Sequence, residues 1–419
     1  MSKILAVKAR SILDSRGNPT VECDIKTNDG MFRASVSAGA STGTNEAHEL
    51  RDGGKEYLGM GVQRAVNNIN LVLAKKLKGR TVSQKDIDDY MIKLDGTPTK
   101  SKLGANAILA VSMAVARAGA AAKKMKLYEY IGMLYGTKKF VMPVPAFNII
   151  NGGKHAGNKL DFQEYMIMPI GAKSFSEALR MGSEIYHTLK KNLENHFGRS
   201  AINVGDEGGF APPLECIEEP FDYITDAVIK LGYWKKVKLA IDCAATTFWK
   251  YGKYYLEGQE LSPDALCKRY EELINGYPIA SIEDPFYEED FSNFAKLKRM
   301  LPKTQIVGDD LLCTNPERVK KAVARNSCNC LLLKINQIGT ITEALNAAQI
   351  AKKAGWNIMV SHRSGETTDC FIADLAVGIA AGQIKAGAPC RGERLAKYNQ
   401  LLRIEEETKA RYAKLNNIS

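Results

Sequence analysis

The chain reads Val237-Lys238-Leu239-Ala240-Ile241-Asp242 at the first of six short apolar runs that each end in a polar residue able to do chemistry. The other five runs end at Glu283, Asp309, Lys334, His362 and Lys385. The last four intervals are 26, 25, 28 and 23 residues, which is room for one strand, one helix and two turns. This spacing predicts repeated βα units that close into a barrel. Because a barrel gathers the C-terminal ends of its strands on one face, the six residues predict one shared active site.

Length and composition indicate a globular protein with more than one domain. The chain has 419 residues, 45% hydrophobic and 25% charged, as in ordinary soluble domains. A sheet-and-helix barrel takes up to ~250 residues. We therefore predict a smaller domain over residues 1–140 and a barrel over residues 141–419, with the Pro-rich segment 141–145 as the crossing between them.

The N-terminal third predicts an antiparallel meander followed by helices. Strands are expected at residues 4–12, 21–25 and 31–36, separated by Asn-, Gly- and Asp-rich turns. From Asn45 to Tyr135 the apolar spacing becomes helical. The most apolar stretch, residues 103–122, contains an asparagine and an arginine, so a buried helix is favoured over a membrane span.

The positive charge is concentrated in the same N-terminal third. The net charge is +11, and residues 1–140 hold 23 Lys/Arg against 13 Asp/Glu, whereas the remainder holds 35 and 34. A basic surface attracts anionic substrates, nucleic acid or acidic lipid head groups. No nucleic-acid-binding motif accompanies it, so a solvated lysine-rich surface is the simpler interpretation, and nucleic-acid binding stays open as the alternative.

The cysteines and the N-terminus indicate a reducing compartment. Nine cysteines are scattered without zinc or redox spacing, which favours free thiols. The first residues contain no apolar stretch of the length that a signal peptide needs. We expect a cytoplasmic protein.

Three of the strand-end residues predict a metal site. Asp242, Glu283 and Asp309 would repel one another unless a cation lay between them. Oxygen ligands suit a hard divalent ion such as Mg²⁺. Each acid alone is more often a surface or capping residue, but their joint placement at three successive strand ends favours the metal.

The two lysines predict a base and an anion partner. Lys334 follows three leucines and has little reason to end a buried strand unless it points into a pocket. Near Mg²⁺ and Lys385 its pKa is expected to fall, so that it acts as a base near neutral pH. The structural alternative is a lysine that pairs with a barrel carboxylate.

Four loops are expected to complete the site. The polar loop 361–368 offers Arg363 and Ser364, which suit phosphate, although a plain salt bridge would also explain Arg363. Loop 151–157 precedes Gln163 and Glu164, and loop 204–209 places two acids between glycines, a pattern that also occurs in surface turns. Loop 38–43 has the composition of a mobile flap.

At this point the chain resembles the enolase family along essentially its whole length. The matching motifs are Asp14-Ser15-Arg16-Gly17-Asn18-Pro19-Thr20, Gly39-Ala40-Ser41-Thr42-Gly43, Asn151-Gly152-Gly153, Gly205-Asp206-Glu207-Gly208-Gly209, Ser281-Ile282-Glu283-Asp284-Pro285-Phe286, Leu333-Lys334-Ile335-Asn336-Gln337-Ile338-Gly339, Ser361-His362-Arg363-Ser364-Gly365-Glu366-Thr367, Ile384-Lys385-Ala386-Gly387-Ala388-Pro389 and Asn399-Gln400-Leu401-Leu402-Arg403-Ile404-Glu405-Glu406. The resemblance implies an α/β fold with a β₂α₂(βα)₆ barrel behind a smaller α+β domain. It also implies a hydro-lyase of glycolysis and gluconeogenesis that interconverts 2-phosphoglycerate and phosphoenolpyruvate, as a homodimer or an octamer.

The resemblance also implies roles for single residues. Lys334 would remove the C2 proton, and Glu207 would protonate the departing C3 hydroxyl. Two Mg²⁺ ions are implied, one on Asp242, Glu283 and Asp309 and a second that binds with substrate and Ser41. Substrate contacts would come from His155, Gln163, Glu164, His362, Arg363, Ser364 and Lys385. Arg363 and Ser364 would bind the phosphate, and Lys385 would lie near the carboxylate.

Few positions depart from the family, and two alternatives stay open. Ser37, Ala38 and Asn45 differ from the residues usual around the flap, which bears on flap closure. An acid-sugar dehydratase or a muconate-type cycloisomerase would share the barrel, but their Lys-x-Lys motif is not found before Asp242 on its strand. A binding role through the basic domain is the second alternative. By resemblance, Glu22 and Arg403 would pair across a dimer interface.

Overall fold

The computed structural model describes residues 2–40 and 43–415. Its N-terminal part has three strands and five α-helices: β1 (Ile4–Leu13), β2 (Pro19–Thr27), β3 (Gly30–Ser35), α1 (Gln63–Asn67), α2 (Ala74–Leu77), α3 (Gln84–Asp95), α4 (Ala105–Ala122) and α5 (Leu127–Tyr135). A 3₁₀ turn spans Glu56–Gly59, and a π-helical turn, Asn68–Leu73, joins α1 to α2. The sheet is antiparallel in the order β1-β2-β3, as the sequence predicts.

The first α-helix begins at Gln63, later than the sequence predicts. The helical spacing had been expected from Asn45, but the backbone after it binds distant parts of the chain. Ala47 N–H donates to Gln337 C=O and His48 N–H donates to Thr99 C=O. These tertiary hydrogen bonds keep the segment non-helical, because in an α-helix the same N–H groups would donate to the carbonyl four residues earlier.

Helix α4 forms the centre of the N-terminal core, against β2 and β3. It has the length and apolar composition of a membrane span, yet 83% of that window is buried inside the protein. Small side chains dominate it, which lets the sheet approach closely. The burial matches the prediction of a core helix.

The C-terminal part begins with short strand β4 and contains the barrel. Its elements are β4 (Val141–Met142), β5 (Val144–Asn151), β6 (Glu164–Met168), α6 (Phe175–Phe197), α7 (Glu219–Lys230), β7 (Lys238–Asp242), β8 (Trp249–Lys250), β9 (Lys253–Leu256), β10 (Gln259–Leu261), α8 (Pro263–Gly276), β11 (Ile279–Glu283), α9 (Phe291–Met300), β12 (Gln305–Gly308), α10 (Pro316–Ala324), β13 (Cys330–Leu333), α11 (Ile335–Ile338), α12 (Ile341–Lys353), β14 (Asn357–Ser361), α13 (Phe371–Gly378), β15 (Gly382–Lys385), α14 (Gly392–Thr408) and β16 (Arg411–Tyr412). Short 3₁₀ turns span Gly153–His155, Arg199–Ile202 and Ala245–Phe248.

Eight of these strands close the barrel in the order β5-β6-β7-β11-β12-β13-β14-β15. Strand β6 runs antiparallel to both neighbours, and the other neighbouring pairs are parallel. Two strands and two helices thus precede six βα units, which is the predicted β₂α₂(βα)₆ order. The predicted domain boundary at residue 140 falls between α5 and β4.

The strand register brings the predicted polar residues together. Glu283 lies directly opposite Asp242, and Ser361 lies opposite Lys385. Asp309, Lys334 and His362 each follow the last residue of their strand. Because β7, β11, β12, β13, β14 and β15 run parallel, all six side chains lie at the same end of the barrel.

Candidate active site

A polar cavity of about 120 Å³ lies at the C-terminal end of the barrel. Its lining includes eleven predicted site residues: His155, Gln163, Glu164, Glu207, Asp242, Asp309, Lys334, His362, Arg363, Ser364 and Lys385. Gly39, Ala40 and Gly43 from the N-terminal part also line it. Glu283 is not part of the lining, but it accepts a hydrogen bond from Lys385 at 2.7 Å. Ser41, the predicted ligand of a second metal, lies outside the described residues.

Lys385 lies at the centre of an acidic cluster. Its Nζ is 2.7 Å from Glu283 Oε1, 3.2 Å from Glu164 Oε2 and 3.4 Å from Asp242 Oδ2. Burial works against the charge of this ammonium, but Glu164, Glu283 and Asp242 outweigh burial and raise its pKa well above the ordinary lysine value. Lys385 is therefore a fixed cation inside the site.

Lys334 is paired with Asp309 in direct contact. Gln337 Nε2 donates to the other oxygen of Asp309 at 2.8 Å. Burial lowers the pKa of Lys334, but the Asp309 carboxylate more than compensates and holds the pKa above its ordinary value. The sequence predicts a lowered pKa for this lysine with Mg²⁺ beside it, whereas in the metal-free site the contact with Asp309 gives the opposite direction.

The carboxylates form an array with the donor chemistry of a hard divalent cation. Two sets of side chains have ligand atoms within 4.8 Å of one another, Asp284 with Asp309 and Asp310, and His155 with Glu164 and Glu207. The predicted set of Asp242, Glu283 and Asp309 is not among these groups in the described residues, since lysine ammonium groups lie between its members. Glu283 Oε2 is buried without a hydrogen-bond partner in the described residues. An unpartnered carboxylate oxygen of this kind suits a metal ligand.

Asp284 and Asp310 are acids that the sequence reasoning did not single out. Asp284 accepts from the backbone N–H groups of Asp309 at 2.9 Å and Asp310 at 2.7 Å, so it fixes the loop after β12. Burial and then the neighbouring Asp309 raise the pKa of Asp310 to about 8. This excess of buried carboxylates is what a cation would relieve.

Glu207 is buried between two histidines. Asn148 Nδ2 donates to its Oε2 at 2.9 Å, while His155 Nδ1 and His362 Nε2 lie 3.6 and 3.5 Å from its oxygens. Burial raises the pKa of Glu207, but the two histidines outweigh burial and lower it. The nearby Glu164 has the opposite shift, because burial and then the Glu207 charge raise its pKa. The opposite shifts favour a protonated Glu164 beside an ionised Glu207.

Arg363, predicted to bind phosphate, is held by an acid of the N-terminal part. Its guanidinium donates to both oxygens of Glu46, at 2.9 and 3.1 Å, and to Asn336 Oδ1 at 3.0 Å. Its neighbour Ser364 Oγ accepts from Arg16 at 3.3 Å. Arg363 thus has a salt bridge as well as a place on the cavity. No local signal marks Glu46, because the contact joins residues 317 positions apart.

Helix α14 supplies two buried cations that the sequence reasoning also missed. Arg394 and Lys397 are 0% and 1% exposed and lie beneath loop 361–368. Lys397 Nζ donates to Glu366 Oε2 at 2.7 Å and to Thr367 C=O at 2.6 Å. Charged residues on a mixed helix usually mark its solvated face, so the sequence pattern gave no reason to place them inside.

Comparison with known proteins gives matches over nearly the whole chain. The model of the enolase N-terminal domain matches residues 4–131, and that of the enolase C-terminal TIM barrel domain matches residues 139–418. Enolase B of Dictyostelium discoideum is 56% identical over 419 residues, covering 96% of this chain and 95% of the relative. The enolase of Thermococcus gammatolerans is 56% identical over 411 residues, covering 97% and 95%.

Proposed function

The chain belongs to the enolase family, and we propose from that premise how its residues carry out the reaction. It is a hydro-lyase, a phosphopyruvate hydratase, that reversibly dehydrates 2-phosphoglycerate to phosphoenolpyruvate. The observation that supports our assignment of roles most directly is one cavity that holds a lysine pair, an array of carboxylates and the Glu164–Glu207 pair.

Lys334 is the proposed base for the C2 proton. That proton is weakly acidic, because its removal adds negative charge beside an existing carboxylate. A divalent cation held by Asp242, Glu283 and Asp309 would supply positive charge where this negative charge develops, and Asp309 oxygens that ligate it would no longer stabilise the ammonium form of Lys334. Lys385, held as a cation by three acids, stabilises the same developing charge.

Glu207 is the proposed acid for the C3 hydroxyl. Glu207 must carry a proton before it can donate one to the hydroxyl. The adjacent Glu164, whose raised pKa keeps it protonated, supplies that proton. Burial and then the negative charge of Glu207 keep a proton on Glu164. The C3 hydroxyl then leaves as water with the proton that Glu207 donates, while Lys334 takes the C2 proton.

The remaining predicted residues bind the substrate. Arg363 and Ser364 lie on the same loop, and a planar guanidinium beside a hydroxyl matches phosphate oxygens. Arg363 gives up part of its contact with Glu46 when phosphate arrives. His155, Gln163 and His362 line the cavity between this phosphate end and the acid pair.

The metal is proposed to be Mg²⁺, with Asp242, Glu283 and Asp309 as its ligands. All three offer carboxylate oxygens at successive strand ends, and oxygen-only sites favour Mg²⁺ over softer metals. We propose a second Mg²⁺ that binds with substrate through Ser41.

The assembly and location are also proposals. We propose a homodimer in which Glu22 and Arg403 of different copies pair. In this chain Glu22 already accepts from Arg10 at 2.5 Å, while Arg403 donates to Gln400 at 3.3 Å on an exposed face. All nine cysteines lie in the described ranges as free thiols, six of them buried, which supports the cytoplasm. The comparisons give no support to a second role in nucleic-acid or anionic-surface binding.

The test is an absorbance assay of the enol-phosphate formed from 2-phosphoglycerate. The purified protein should form product with Mg²⁺, lose activity in excess chelator and recover it when Mg²⁺ returns. The isomer 3-phosphoglycerate, with its phosphate and hydroxyl exchanged, is the matched control and should give no signal. Equal rates with and without the metal would refute the assigned chemistry.

A further inference from the structure

The side chain of Arg394 is fully buried and is hydrogen-bonded to the two loops that carry His362 and Glu207. Its Nη1 lies 2.6 Å from His362 Nδ1 and donates to Arg363 C=O at 2.7 Å. Its Nη2 donates to Asp206 C=O at 2.9 Å and to Ser364 C=O at 2.5 Å. One guanidinium thus joins the loop that carries His362 to the loop that carries Glu207.

The contact with His362 fixes where the imidazole carries its proton. An arginine guanidinium only donates hydrogen bonds, so the ring nitrogen that faces it must accept. Nδ1 of His362 is therefore unprotonated, and the neutral ring has its hydrogen on Nε2. A doubly protonated ring would place an N–H against an N–H at 2.6 Å.

The other ring nitrogen faces the acid pair. His362 is 2% exposed, and its Nε2 is buried without a hydrogen-bond partner in the described residues. Glu207 Oε2 lies 3.5 Å away, so a small movement or an intervening substrate oxygen completes the hydrogen bond. A donor is thus aimed at the place where the C3 hydroxyl leaves.

We propose that Arg394 is a positioning residue that locks His362 as the neutral Nε2–H tautomer, so that the ring serves as a donor beside Glu207. This inference rests on the proposed roles of His362 and Glu207. The ring donates to Glu207 or to the substrate and does not itself exchange a proton with the substrate. Arg394 thereby acts on the reaction through His362.

The charges around the ring are consistent with this role. The charged groups that face it are Glu207 from loop 204–209, Arg394 from α14 and Glu366 from its own loop. Burial, with help from Arg394, lowers the pKa of His362 to about 4 against the opposing effect of Glu207. The proposed role of His362 as a hydrogen-bond donor requires an imidazole that is neutral near neutral pH, which this lowered pKa provides.

The direct test is the nitrogen spectrum of histidine in the intact wild-type protein labelled with ¹⁵N-histidine. The chain has 5 histidines, so the His362 signals can be assigned by their loss in His362→Asn. We expect an unprotonated Nδ1 and a protonated Nε2 for His362 between about pH 5.5 and 8. A ring protonated on Nδ1, or one that becomes imidazolium near about pH 6.5, would overturn the proposal. The spectrum needs no turnover, so a failure of the proposed function would be seen separately.

Variants separate positioning from simple structural support. Arg394→Met should let the His362 tautomers mix and lower kcat roughly 10- to 100-fold, the cost typical of losing a group that orients a functional residue, with a smaller change in KM. Lys397→Met is the matched control, because Lys397 is a buried cation one turn later that supports the same loop without contacting His362. Its His362 signals should be those of the wild type. The same tautomer change in both variants would contradict a specific role for Arg394.

Discussion

Replacement of Lys334 by alanine should stop the exchange of the C2 proton of 2-phosphoglycerate with solvent. Lys334 is buried against Asp309, and the second lysine, Lys385, is held by three acids and does not take its place. Loss of a positioned base typically costs 10²- to 10⁴-fold, which is about 2.7–5.4 kcal/mol of activation free energy at 1.36 kcal/mol per tenfold. We therefore expect exchange to slow by at least roughly 100-fold.

The assay follows the C2 proton signal by NMR in deuterated buffer with Mg²⁺. Wild-type protein should replace this proton with deuterium, and Lys334→Ala should retain it. Lys100→Ala is the matched control, because Lys100 is a buried lysine paired with Glu343 at 3.0 Å outside the cavity. It loses a buried ion pair but keeps the base, so exchange should continue. Exchange at a near wild-type rate in folded Lys334→Ala would remove Lys334 from its proposed role.

Three further predictions follow from other contacts. Asp369→Ala should destabilise the protein by about 3–5 kcal/mol in denaturant unfolding, because Arg117 donates to both Asp369 oxygens at 2.7 Å and would lose its ion-pair partner. Glu184→Ala, which removes a partly exposed ion pair with Arg180, should cost roughly 0.5 kcal/mol or less. Burial raises the pKa of Asp374 to about 6, so its stabilising contribution is complete below about pH 4 and is lost as the pH rises through 6. Asp374→Asn should therefore gain roughly 3 kcal/mol relative to wild type between about pH 4 and 7, and parallel pH curves would argue against this. Glu22→Arg should shift the mass measured by light scattering toward the monomer, and an unchanged mass would count against the proposed interface.

The sequence alone predicted the parts of the fold and of the site that recur with each βα unit. Six polar strand ends, the last five of them 23–28 residues apart, predicted the barrel and the face where Asp242, Glu283 and Lys385 meet. A one-dimensional pattern carries this information because parallel strands in a barrel share one direction.

Contacts between distant segments could not be read in the same way. Glu46 of the N-terminal part contacts Arg363, and Arg394 of the last helix contacts His362. The residues around Glu46 and Arg394 form no sequence pattern that predicts these contacts. The pKa of Lys334 in the metal-free site could not be predicted for a related reason. Its direction depends on which carboxylate touches the ammonium, and only the folded geometry shows that this is Asp309.

Anomalous X-ray diffraction from crystals soaked in Mn²⁺, a stand-in for Mg²⁺, tests most directly which oxygens hold the metal. We predict an anomalous peak bound by Asp242, Glu283 and Asp309, with Lys334 and Lys385 moved off those carboxylates toward the substrate position. A peak held instead by Asp284 and Asp310, or by His155 with Glu164 and Glu207, would contradict it.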